Sequence, residues 1–234
     1  MKKLLITIIL LLLIPLNLLL SQNQNSFTVT YSTTLANFDY NREPSKINLA
    51  LQMKEYIEAV KYKLEVVNHA SLFEAIKKME LSVNTNYAQK AAELASFYVD
   101  SIQYIEQRES FNTLFLIIEP PKEFNWKLIN ETKTILGYTC YKATHNREGM
   151  NPVIVTAWYC PEIPYQFGPK GYSRLPGLIL EIVLGGKTTY TADTINWDDD
   201  VWVIKPTTGK KITREALNAM YNTAIEEMKS YDKN

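Results

Sequence analysis

The residues able to do chemistry are few and scattered. The chain has two histidines, His69 and His145. Metal sites gather their ligands at short spacings, as when two histidines stand one helical turn apart, and neither histidine has such a partner. The sequence therefore predicts no metal site and implies no cofactor. A serine nucleophile needs a base and a group that orients the base. Ser173 stands in Gly171-Tyr172-Ser173-Arg174, which is not a Gly-x-Ser-x-Gly elbow, and no phosphate loop or dinucleotide fingerprint occurs. A hydrolase with a site dispersed over the chain stays open. Asp193 and Asp198-Asp199-Asp200 offer the oxygen ligands that calcium requires, but without the alternation of a calcium loop, and Val201-Trp202-Val203 follows at once. They read as a solvated turn between strands.

The two cysteines, Cys140 and Cys160, fall on neighbouring predicted strands. A hairpin centred near Met150 would set them opposite one another, and the start of the chain puts them where a disulfide persists. Met1-Lys2-Lys3 is basic, Leu4 to Leu20 is aliphatic apart from Thr7, Pro15 and Asn17, and Ser21 to Ser26 is abruptly polar. That order describes a secretory signal peptide over residues 1–21, cleaved after Ser21. A membrane anchor needs about 20 predominantly apolar residues, and Pro15 and Asn17 leave this run short of that. No cysteine follows the run to accept a lipid. Residues 22–234 then form one domain of ordinary size, periplasmic or secreted, with no stable membrane span after cleavage. Lys and Arg number 25 and Asp and Glu also 25, so the basic footprint of a nucleic-acid partner is missing. With 46% hydrophobic residues and fifteen tyrosines the chain has the means to bury a core.

The elements that must position these residues follow from periodicity. Phe27, Val29, Tyr31, Thr33 and Leu35 alternate as a half-buried strand. Leu49, Met53, Tyr56, Ile57 and Val60 recur at helical spacing, predicting a helix from Lys46 to Ala59 capped by Ser45. Strands are expected at Tyr62 to Val66 and Ser71 to Ala75, and a second, alanine-rich helix at Tyr87 to Phe97. From Asp100 the chain reads as β, with strands at Ile102 to Tyr104, Leu114 to Ile118, Trp126 to Thr134, Ile135 to Thr144, with Gly137 as a bulge or close approach, and Val153 to Cys160. His145 to Pro152 reads as a loop. Gly185-Gly186 is a two-residue hairpin signal between Leu178 to Leu184 and Lys187 to Ile195. Thr213 caps a last helix carrying Ala216, Leu217, Met220, Tyr221 and Ile225. Short turns between neighbours require antiparallel pairing. The fold class is α+β: a curved, mainly antiparallel sheet forming an open half-barrel, with helices near the N-terminal part and one at the C-terminus.

The densest unusual stretch is Tyr159 to Glu181, with Ile163-Pro164, Gly168-Pro169 and Leu175-Pro176-Gly177-Leu178. Pro176-Gly177 suits the centre of a type II turn with Gly177 at positive φ. The stretch reads as a rigid loop leading into a core strand, or as the rim of a binding site. Leu175, Pro176, Gly177, Leu178 and Ile179 resemble the signature of the GLPGLI family. Trp126-Lys127-Leu128, Gly137 to Thr144, Ala157-Trp158-Tyr159 and Gly168-Pro169 resemble the blocks around it. Arg174 stands where the signature has its first glycine. The resemblance implies a protein exported by Gram-negative bacteria, without an agreed activity and without a catalytic residue to carry over. At fold level it implies a likeness to periplasmic lipoprotein carriers, whose curved sheet leaves an apolar concavity.

Three functions are compatible with these readings. The first is a non-enzymatic periplasmic protein that binds a lipid, another apolar small molecule or a lipidated partner, lined by Trp158, Tyr159, Phe167, Tyr172, Leu175 and Leu178. The second is an interaction module of the cell envelope serving an outer-membrane protein complex. The third is the dispersed hydrolase.

Overall fold

The computed structural model describes residues 26–36, 44–76, 95–148, 152–198 and 200–231. The expected signal peptide, most of the expected helix at Tyr87 to Phe97 and the tip of the hairpin near Met150 lie outside them.

Strand β1 (Ser26–Leu35) is the hub of the sheet. On one side it pairs with β2 (Tyr62–Val67), and a meander continues through β3 (Ala70–Ala75), β4 (Ala95–Val99), β5 (Tyr104–Ser110) and β6 (Thr113–Glu119). A second meander runs through β7 (Lys127–Ile135), β8 (Tyr138–Arg147), β9 (Val153–Cys160), β10 (Leu178–Leu184) and β11 (Thr188–Trp197), and β11 closes on the other side of β1. Every pairing is antiparallel except that of the two-residue β12 (Lys210–Lys211), which lies parallel to β6. β7 and β12 are the ends of an open twelve-stranded sheet. Helix α1 (Pro44–Ala59) is tied to the end of β1, where Leu35 N–H donates to Glu58 Oε1 at 2.8 Å and Lys54 Nζ donates to Leu35 O at 2.8 Å. Helix α2 (Arg214–Tyr231) follows β12, and Thr213 Oγ1 accepts from Ala216 N–H at 3.2 Å as the expected cap. The fold is thus the expected α+β sheet with a helix near each end of the described chain.

Three local expectations are corrected. Ala95 to Phe97 begin β4, not a helix's end, because Phe97 pairs with Phe73 on β3 and with Glu106 on β5. Alanine content favours a helix locally, but burial of Phe97 and Val99 on one face and Tyr98 on the other decides for a strand. Gly137 makes a tight turn rather than a bulge: Leu136 (φ 51°) and Gly137 (φ 84°) are both left-handed and separate β7 from β8. That geometry fits the right-handed twist of the strands it joins. The third correction concerns His145, which extends β8 to Arg147 instead of opening a loop.

The main core lies on one face of the sheet and includes Phe27, Val29, Tyr31, Leu64, Phe73, Phe97, Tyr104, Ala157 and Ile182. Segment 161–177, between β9 and β10, packs over it through Ile163, Tyr172 and Leu175. Its 3-10 turn Pro169–Gly171 lies against β3, β4 and β10. β4 and β10 stand five strand positions apart in the sheet, roughly 24 Å if the sheet were flat at about 4.8 Å per strand. One short turn touches both only because the sheet curls round it, so this is the concave face. On the opposite face Leu72, Tyr98, Ile105 and Leu116 form a smaller cluster under Val203.

Candidate functional site

Segment 161–177 is a plug in the concave face, and it runs straight into the start of β10. Leu175, Leu178, Ile179 and Leu180 are fully or almost fully buried. Backbone bonds hold the segment to itself and to β10: Leu178 N–H donates to Ile163 O, and Ile179 N–H to Phe167 O, each at 2.9 Å. Trp126 Nε1 donates to Ser173 O at 2.9 Å from the β7 side. Pro176-Gly177 is not a type II turn. Gly177 N–H donates to Leu175 O at 2.8 Å, a three-residue turn centred on Pro176, while Leu178 N–H goes to Ile163 instead. Gly177 still has positive φ (155°), and a Cβ there would sit 2.1 Å from Cys160 O. The glycine is required by a close backbone approach.

The six residues expected to line a ligand site separate. Leu175 and Leu178 are core, Tyr159 is nearly buried beside Tyr141 with ring centroids 6.1 Å apart, and Phe167 is half-buried against the core. Trp158 lies one residue out of phase with Tyr159 and receives Lys133 Nζ over its ring at 4.6 Å. Lys133 in turn pairs with Glu181 at 2.5 Å. Of the six, Tyr172 alone lines the cavity described next.

That cavity, of about 440 Å³, lies between the plug, β5, the β6–β7 connection, β8 and helix α2. Tyr104, Glu106 and Arg108 alternate along β5 and so face it together. Arg214, Leu217, Asn218 and Tyr221 reach it from one side of α2, as their helical spacing dictates. Lys122 and Phe124 come from the β6–β7 connection, His145 and Arg147 from β8, and Lys170 and Tyr172 from the plug. Sequence inspection missed most of this set because its members are distant in the chain. The available signal was a strand carrying Glu106 and Arg108 at alternate positions beside the inward-facing Tyr104.

The cavity is built on an ion-pair network. Glu106 is 2% exposed and pairs with Arg108 and, at 2.8 Å, with Arg214 Nη2. Arg214 also grips Glu119 from two nitrogens, at 3.0 and 2.8 Å, and Lys122 Nζ lies 3.4 Å from Glu119 and 3.8 Å from the centre of the Tyr104 ring. Burial works to raise the Glu106 carboxyl's pKa, but the charges of Arg108 and Arg214 prevail and hold it below the usual range. Burial and the neighbouring Arg214 lower the Lys122 ammonium. Burial, then the field of Glu106, pushes the Tyr104 hydroxyl well up, so it is a hydrogen-bond donor at neutral pH. His145 sits edge-on to Phe124 and Trp126, each ring centroid 5.6 Å away, and burial and Arg147 lower its pKa. His69 is exposed in the turn between β2 and β3. Among the described residues no Ser, Thr or Cys lines the cavity beside His145.

The remaining sequence candidates have structural roles. Asp193 accepts from Ser32 Oγ at 2.8 Å and pairs with Lys61 at 2.9 Å, and Asp198 Oδ1 caps Asp200 N–H at 2.9 Å in an exposed turn. Among the described residues no three His, Cys, Asp or Glu side chains converge on a metal position, and no helix is long and apolar enough to cross a membrane. The cysteines depart from the expected bridge. The β8–β9 ladder ends at the pair Tyr141 and Tyr159, one residue short of the expected Cys140–Cys160 position, and the cysteines pair instead with Lys133 on β7 and Leu178 on β10. Both are free, buried thiols. Cys140 Sγ turns to the carbonyl of Tyr138 at 3.7 Å, and each sulfur serves as a small apolar group in the core.

Residues 145–181 match a family model described as "Protein of unknown function (Porph_ging)". That block, of GLPGLI type, spans the end of β8, all of β9, the plug and the first residues of β10. No curated protein matches the chain. Among solved structures, PNGF-II is similar in two crystal forms, P21 and C2, with TM-scores of 0.52 and 0.53 at 13% identity, covering 84% and 83% of this chain. This chain spans about a third of PNGF-II's length, 33% and 32% in the two forms, and the likeness is one of fold. An uncharacterized conserved protein from Thermus thermophilus is more distant, with a TM-score of 0.39 at 9% identity, covering 82% of this chain and 92% of that one. These similarities do not show the expected likeness to lipoprotein carriers.

Proposed function

We propose that this chain is an exported, non-catalytic binding module of the cell envelope, and that its recognition site is the ion-paired cavity between β5, the plug and α2. Export is supported by the order of basic, apolar and polar residues from Met1 to Ser26. The observation that carries the choice of site is the plug. Segment 161–177 packs its apolar side chains over the concave face, the surface on which a carrier would hold an apolar ligand or a lipidated partner. The cavity beside it has the volume of a small-molecule site and a charged lining. Native mass spectrometry of the chain purified from its own host tests this: a small polar ligand is recovered, and Asn218→Trp, which fills the cavity from α2, loses it. Recovery of acyl lipids, or of nothing, overturns the reading.

A second reading, an interaction module serving an outer-membrane complex, is favoured by Trp202 and Ile204. They are 77% and 74% exposed on either side of Val203, which is held against the outer face of the sheet. Crosslinking in cells would then recover one dominant protein, lost in Trp202→Glu.

A further inference from the structure

We infer that the cavity binds a small molecule bearing an oxyanion, a carboxylate or a phosphate, which accepts a hydrogen bond from Tyr104 and faces the ammonium of Lys122. The inference rests on the cavity reading above and adds the chemical class of the ligand.

Three observations converge on it. The first is Tyr104. It lines the cavity, is 3% exposed, and its hydroxyl makes no hydrogen bond among the described residues. The hydroxyl is not sealed from water but opens on the cavity, where a ligand oxygen can accept its proton. Its acidity is suppressed, so it offers a proton rather than a negative charge.

The second is the distribution of charge. Arg108, Lys122, Arg147, Lys170 and Arg214 line the cavity against Glu106, Glu123 and Glu148. Glu123 and Glu148 are exposed at the rim, where water and salt screen them. Inside, Glu106 is the buried carboxylate, joined by Glu119 behind Arg214. Within the cavity the cations therefore outnumber the carboxylates, in a chain whose formal net charge is zero. The depressed affinity of Lys122 for its proton reflects burial and the neighbouring arginine, and an anion beside it would favour the charged form.

The third is the shape of the lining. Phe124 and Tyr172 lie along one wall with ring centroids 5.0 Å apart and planes tilted by 39°, giving an aromatic surface for the body of a ligand whose charged end lies at Tyr104.

Isothermal titration of the exported chain with three matched probes tests the inference: phenyl phosphate, benzoate and neutral benzyl alcohol. At least one anionic probe should bind about tenfold more tightly than benzyl alcohol, the factor expected from one charge-assisted hydrogen bond, and which anion binds better separates phosphate from carboxylate. Lys122→Met should weaken the anion about tenfold and leave benzyl alcohol unchanged. Tyr104→Phe, with an unchanged melting temperature, should weaken the anion about fivefold. Equal binding of all three probes overturns the oxyanion while leaving the cavity as the recognition site. So does full anion binding by Lys122→Met. If none of the probes binds, the inference fails, and the native mass spectrum alone then decides whether the cavity reading survives.

Discussion

Tyr31 donates its hydroxyl to the carbonyl oxygen of Ile179 at 2.7 Å, from the centre of β1 to the bulge of β10. The register of β10 against β9 shifts between Ile179 and Glu181. A bulge leaves a residue outside the ladder, and here the buried tyrosine meets the Ile179 carbonyl. The bond ties the family-signature segment to the hub strand of the sheet. Tyr31→Phe keeps the ring and removes the donor, leaving a buried carbonyl unsatisfied. Urea denaturation should show a loss of about 1–3 kcal/mol; no change would mean that water reaches Ile179.

Gly177 and Gly137 both have positive φ, 155° and 84°, but a Cβ at Gly177 meets Cys160 O at 2.1 Å while one at Gly137 meets nothing within 4 Å. Gly137→Ala should therefore cost only the conformational strain, about 1 kcal/mol. Gly177→Ala must also push apart the end of β9 and the plug and should cost roughly 3 kcal/mol or more. Similar melting temperatures for the two variants would contradict the close approach.

Arg174 occupies the position of the signature's first glycine with φ 73°, a conformation that glycine adopts freely. Its ion pair with Glu123, at 3.9 Å between side chains 43% and 77% exposed, contributes little. Arg174→Gly relieves left-handed strain of about 1–3 kcal/mol and gives back part of it as unfolded-state entropy. The expected result is a melting temperature raised by a few degrees, from a net gain of about 1 kcal/mol. A fall would show that the arginine makes a contribution its ion pair does not explain.

The network at Glu106 and Glu119 sets the acid limb of stability. Both carboxyls lie below the ordinary glutamate value of 4.5 despite burial, held there chiefly by Arg108 and Arg214 at Glu106 and by Arg214 and Lys122 at Glu119. A carboxylate depressed in the folded state contributes stability above its unfolded value and loses it as the pH falls through the folded one. Unfolding free energy should hold at neutral pH and drop below about pH 4.5. Glu106→Gln leaves buried guanidinium groups without their counter-charge, costing about 3–5 kcal/mol at neutral pH, and should flatten the acid limb. An unchanged limb would place its origin elsewhere.

Where packing partners are close in sequence, the pattern was legible. Phe27, Val29 and Tyr31 alternate and face one core, and Gly185-Gly186 turns with φ 60° and 66°. Thr213 caps α2 as its side chain allows. Where the deciding partner is remote, local rules gave way. Ala95 to Phe97 have helical composition and become a strand because β3 and β5 wait on either side. Leu136 hides a turn because a bulky residue at φ 51° is rare. The cavity was least legible, since Arg214 meets Glu106 and Glu119 only after α2 folds back on β5 and β6. The plug was half legible: its rigidity could be read from Pro and Gly, but its place in the concave face depends on the curl of the whole sheet.

Cys140 and Cys160 give the last prediction. Burial pushes the Cys140 thiol up to about 12, with Cys160 nearby adding to the effect, and burial also raises the Cys160 thiol. The thiolate is the reactive form, so at pH 8, below either value, both sulfurs are protonated as well as enclosed. Neither sits at a helix start or in a closely spaced pair that would favour the thiolate. Iodoacetamide should modify neither cysteine in the folded chain over a time in which the urea-unfolded chain takes up two labels. Two labels at equal rates in both states would show that the sheet opens readily around β8 and β9. No label even in the unfolded, unreduced chain would show a bridge and overturn the assignment of free thiols. Cys140→Ser adds a further check, because a hydroxyl placed in this apolar site must find a partner or cost about 1–3 kcal/mol, whereas Cys140→Ala loses only a small apolar group. Cys140→Ser should therefore be the less stable of the two by thermal denaturation.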